Sequence, residues 1–135
     1  GTREQMHDMA TRILCGLRDT ASVRLVRTIG RSIGARVIVA TDGESVARQL
    51  ADERLTLAFL ELKYDETDIF ELLALARRRP DAPEIILVTT EDSNRPDRPD
   101  YADMAAMQGA SGTIDAPLSR EKLLGALQRY RLARV

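Results

Sequence analysis

Few side chains in this sequence are of a type that does chemistry, and their spacing narrows what that chemistry can be. There is one histidine, His7, and one cysteine, Cys15. A single histidine near the start of the chain leaves no histidine-centred triad and no histidine cluster for zinc. The acids are better placed. Glu61 closes the apolar run of LAFLELKYDETDIFELL (residues 57–73), and Asp65, Glu66 and Asp68 follow it at once. Arg18 and Asp19 follow the apolar run RILCGL, and Thr89 closes EIILVT. A cluster of acids just after a strand end could in principle hold a cation. The acidic trio after Glu61 is read more plainly as a solvated loop with a helix cap.

Those residues lie at the ends of short apolar runs, so the runs must be the elements that position them. Residues 12–17, 36–41, 55–62, 84–89 and 111–115 read as strands, with β-branched or near-continuous apolar composition. Between them lie helical patterns. Residues 21–33 carry Val23, Val26, Ile29 and Ile33 at helical spacing, and Gly34 ends them. Asp42 caps a short helix over 44–51, and 68–79 runs from an acid to three arginines, as the helix dipole favours. Residues 101–108 stop at Gly109, with Met104 and Met107 read as packing on the sheet. Ser119 caps a last helix lined by Leu123, Leu124, Leu127 and Tyr130. Strand–helix repeats with short connections imply an α/β fold: a flavodoxin-like (βα)5, a doubly wound five-stranded parallel sheet with helices on both faces. Ligand chemistry in such a sheet belongs at the carboxyl ends of the strands, where Arg18, Glu61 and Thr89 fall.

The 135 residues suit one domain, expected over 11–135, with 1–10 a tag or linker that frays. A net charge of −1 gives no general attraction to nucleic acid or an anionic membrane, and no apolar run approaches a membrane span. No secretory signal is visible, and one cysteine cannot form an internal disulfide, so a cytoplasmic setting is expected.

The pattern resembles the receiver domain of two-component response regulators over residues 11–131. FLEL-KYDETD-IFELL is similar to that family's strand, phosphoacceptor, loop and FELL helix, and GASGTIDAPLSREKLL (109–124) to its fifth strand, Lys-Pro and last helix. The resemblance puts the phosphoacceptor at Glu61, the conserved hydroxyl at Thr89, the lysine at Ala116 and the switch aromatic at Thr113. The metal-binding acid pair falls on Leu17-Arg18 or Arg18-Asp19. Only Thr89 keeps the family's residue type. Such a transfer depends on neutralising gathered negative charge, and losing one strong electrostatic contact costs about 3–4 kcal/mol in the barrier. The resemblance therefore implies a degenerate pseudo-receiver: no phosphorylation, no enzyme activity, no bound cofactor and no metal. Glu61 either stands in for a phosphate beside Thr89 or is an acid paired with Arg18.

The implied role is regulation by protein contact. The partners would be a histidine kinase, an output domain or another receiver, with a homodimer through helix 4, strand 5 and helix 5 as one form. An alternative is second-messenger sensing, with a cyclic dinucleotide held by Arg95, Arg98, Tyr101 and Arg120, since arginine suits planar bidentate recognition. The plainer reading of the loop TEDSNRPDRPDYADM is a solvated polar connection. Arg24, Arg27 and Arg31 along the first helix read as a solvated face, because no DNA-reading motif accompanies them.

Overall fold

A computed structural model describes residues 11–52, 54–62, 64–90 and 101–130. The elements run β1 (Arg12–Gly16), α1 (Thr20–Ser32), β2 (Arg36–Val39), α2 (Gly43–Asp52) and β3 (Leu57–Glu61). Then follow α3 (Ile69–Arg77), β4 (Glu84–Thr89), α4 (Tyr101–Met107), β5 (Gly112–Asp115) and α5 (Arg120–Arg129). All four strand pairings are parallel, and the order is β2-β1-β3-β4-β5. That is the flavodoxin-like order, with β3 in the centre. Its Leu57, Ala58, Phe59 and Leu60 are buried, as a strand covered on both faces requires.

Alternation along the strands divides the core in two. Leu14, Ala58, Leu60, Ile85 and Leu87 pack with α2, α3 and Ala105 of α4. Ile13, Cys15, Phe59, Ile86 and Val88 pack with α1 and α5. Successive side chains of a strand point to opposite faces, so a chain with apolar residues at both parities is covered on both sides.

Several boundaries differ from the sequence reading, for one reason. Apolar character continues past the hydrogen-bonded ladder: Leu17 and Leu55 are buried although β1 ends at Gly16 and β3 begins at Leu57. The helix caps set sharper limits. Asp19, Asp68 and Ser119 each accept a backbone N–H in the first turn of the following helix, and Asp42 accepts from Ser45 N–H at 2.7 Å. At Gly109, after α4, the backbone is in the positive-φ region (110°) that a side chain rarely adopts. One side-chain expectation is overturned. Met104 and Met107 are 43% and 84% exposed, so among the described side chains of α4 the inward one is Ala105, and the methionines face outward.

Candidate functional site

The carboxyl ends of β1 and β3 are adjacent in the register, Gly16 opposite Leu60, which brings the next residues of both strands together. Glu61 meets Arg18 there. The Arg18 guanidinium donates from Nε to Glu61 Oε2 at 2.8 Å, and the Arg18 backbone N–H donates to Oε1 at 3.4 Å. A weaker ion pair links Arg18 to Asp65 at 3.6 Å. The glutamate raises the guanidinium pKa above its usual value, chiefly by the hydrogen bond and then by charge. The side chains are 49% and 24% exposed, so solvent screens the pair and its contribution is about 1 kcal/mol or less.

Asp19, adjacent in sequence, does something else. Its carboxylate accepts from Ser22 N–H at 3.0 Å and from the Ser22 hydroxyl at 2.8 Å, capping α1. Those bonds hold its pKa below the ordinary carboxylate value. The acid is spent on a helix end, where its charge also suits the dipole.

Thr89 and Ala116 close the other side. The buried Thr89 hydroxyl donates to Asp115 Oδ1 at 2.7 Å, with the Ile114 carbonyl at 3.5 Å. Ala116 N–H donates to the Thr89 carbonyl at 2.7 Å, and the Ala116–Pro117 peptide is cis. The hydroxyl is thus satisfied within β4 and β5, and the Glu61 carboxylate by Arg18. Lys122, in the first turn of α5, donates to the carbonyls of Asp115 and Pro117 at 2.8 and 3.2 Å. Its ammonium therefore ties the β5–α5 connection together rather than reaching Glu61.

Two residues here are not among the site residues expected from the sequence. Tyr64, inside the loop KYDETD, is only 1% exposed. Its hydroxyl donates to the Gly16 carbonyl and accepts from Glu61 N–H at 3.1 Å, so it bolts the ends of β1 and β3 together. Burial raises the phenol pKa well above its usual value. A Cβ on Gly16 would lie 2.8 Å from that hydroxyl, which explains the glycine. Asp115 is the other, and its sequence signal is its place as the last residue of the fifth strand, next to the predicted lysine position. The Arg18 guanidinium also lies 6.0 Å from the Tyr64 ring centroid, over its face.

The donor set does not fit a magnesium site. The cation favours near-octahedral oxygen ligation. Here the first acid position after β1 is Leu17 or Arg18, a guanidinium sits on the Glu61 carboxylate, and Asp19 is held by Ser22. Among the described residues no group of three histidine, cysteine, aspartate or glutamate side chains is arranged to hold a metal.

The second-messenger residues are only partly placed. Arg95 and Arg98 lie outside the described residues, Tyr101 begins α4, and Arg120 is an exposed residue at the start of α5. Thr113 is exposed on β5. No described helix is long and apolar enough to cross a membrane.

No protein-family model matches the chain, and no curated protein matches it in sequence. Solved structures do match in shape. The signal receiver domain of a putative Luxo repressor protein from Vibrio parahaemolyticus superposes with a TM-score of 0.75 at 15% identity, covering 91% of this chain and 92% of that one. A CheY-like response regulator receiver domain from Methanospirillum hungatei JF-1 gives 0.75 at 23% identity, covering 91% and 94%. The receiver domain of a sensor histidine kinase from Pseudomonas aeruginosa PAO1, which has a magnesium ion coordinated in its active site cleft, gives 0.70 at 20% identity, covering 90% and 97%. The chain has the fold of response-regulator receiver domains.

Proposed function

We propose that the chain is a non-phosphorylatable pseudo-receiver, a regulatory module that acts by protein contact in bacterial-type two-component signalling rather than as an enzyme. The observation that carries this reading is the Arg18–Glu61 ion pair at 2.8 Å. It puts a fixed cation of the protein on the carboxylate that would have to attack phosphorus. The same carboxylate has neither a lysine ammonium at position 116 nor an oxygen-donor partner from position 18 to gather charge in a transition state. Thr89, bonded to Asp115, is not poised to follow a charge at Glu61. The working surface is α4, β5 and α5, with outward-facing Met104 and Met107 as its soft contacts, and its setting is cytoplasmic. The chain is to be incubated with acetyl phosphate and magnesium and read by intact mass. The unmodified mass is the expected result; a gain of one phosphate mapped to Glu61 refutes the reading.

A further inference from the structure

Among the described residues β2 is an edge strand, with only β1 beside it. It is four residues long, and none of the four is fully buried: Arg36 is exposed, and Val37, Ile38 and Val39 are half-buried. An open edge of this kind presents main-chain donors and acceptors to another extended segment.

The helix next to that edge is unusual in its charge. α1 contains Arg24, Arg27 and Arg31 and no acid. All three are exposed, and among the described residues none forms an ion pair. Their side of the helix can be located. A Cβ on Gly30 would lie 2.5 Å from Val37 Cγ2, so Gly30 faces β2. With about 100° per residue, Arg27, Arg31 and Arg24 lie about 60°, 100° and 120° further round from Gly30, away from the core-facing Val26. Arg27 also acts electrostatically on Cys15, whose register partner on β2 is Val39. The arginines therefore flank the free edge of β2, with Arg31 at the Arg36 end and Arg27 towards Val39.

The geometry points to the β2 edge as a docking site for an extended acidic segment of a partner protein, added as a sixth strand with alternate Asp or Glu side chains against Arg24, Arg27 and Arg31. Alternation matters because side chains of one parity share a face and repeat at about 6.7 Å. The arginines span about 10.5 Å of helix, which three alternate acids on a strand cover. The intervening side chains fall on the α2 face beside Ile38. Ile38 packs on that face, and Glu44 at the start of α2 is already paired with Arg48 at 3.6 Å, so apolar residues are favoured there. Other occupants fit less well. A second copy paired through β2 would bring Arg36 and both sets of α1 arginines together, a like-charge clash. Duplex DNA would meet the arginines but leave the strand edge and Val37, Ile38 and Val39 unused. This inference stands apart from the phosphorylation chemistry at Glu61.

The test is fluorescence anisotropy on the whole chain with a labelled, end-blocked eight-residue peptide of alternating Glu and Val. Backbone amide NMR locates the site. Binding with shifts confined to β2 and α1 supports the proposal. So does a loss of about tenfold or more in Arg27→Glu/Arg31→Glu, and a similar loss when every peptide nitrogen is methylated, which leaves the protein untouched. Absence of binding overturns it. So do equal binding of the methylated peptide, equal binding of the Lys–Val counterpart, tighter binding of a duplex DNA, or shifts centred on α4, β5 and α5.

Discussion

Replacing Tyr64 by phenylalanine removes one oxygen and with it a hydrogen-bond partner of each of two backbone groups. The hydroxyl donates to the Gly16 carbonyl and accepts from Glu61 N–H, and the side chain is 1% exposed. A buried polar group stripped of its partner costs about 1–3 kcal/mol. Two such groups, at strand ends where some water returns, predict a loss of about 2–4 kcal/mol. For a chain of this length that lowers the melting temperature by about 10 °C. Urea unfolding followed by circular dichroism measures it, and the midpoint should fall with the slope unchanged. Gly16 supplies the control. Gly16→Ala alone places a methyl 2.8 Å from the Tyr64 hydroxyl and 3.1 Å from the Phe59 carbonyl, and overpacking of this kind costs about 1–3 kcal/mol. In the double variant the hydroxyl clash is gone, so the two costs add to less than their sum by about 0.5 kcal/mol or more. A Tyr64→Phe change of under about 0.5 kcal/mol, the range of an ordinary surface substitution, refutes the bolt.

Three further outcomes follow from particular contacts. Burial pushes the Cys15 thiol up to about 11 from 9.0, so the folded state keeps its proton where the unfolded state loses it. That stability is complete below pH 9 and is lost as pH rises through 11, about 2–3 kcal/mol for a shift of this size. Unfolding across that window measures it, and a Cys15→Ala variant should lose that part of the slope. Asp19→Ala removes the α1 cap and lowers the urea midpoint, most of the loss being recovered in Asp19→Asn, with no change in response to magnesium. Arg18→Ala costs about 1 kcal/mol or less, and the difference shrinks in salt because the pair is half exposed.

Much of this was legible along the chain. Near-continuous apolar residues over 57–60 state that β3 is covered on both faces, and Asp19, Asp42, Asp68 and Ser119 stand where helix ends need oxygen acceptors. The spacing of Glu61, Thr89 and Ala116 against strand ends located the candidate site. Three things were not legible. Tyr64 sits in a loop of acids, and nothing in KYDETD says that its ring turns inward. Met104 and Met107 are apolar residues on an apolar-looking helix, and only the packing of Ala105 against the sheet shows that they face out. Arg24, Arg27 and Arg31 read as a solvated stripe until α1 is placed beside a free strand edge.

The division has a physical basis. Periodicity, capping and turn chemistry are local, so the sequence by itself determined the order of strands and helices, the parallel sheet and which residues reach its carboxyl edge. It also determined that Ala116 brings no ammonium and that Arg18 brings a positive charge. Which charges meet is set by strand register and helix rotation, properties of the whole sheet. Only the tertiary structure decided that Arg18 closes on Glu61 while Asp19 turns back to Ser22, that Thr89 is held by Asp115, and that a tyrosine hydroxyl joins β1 to β3.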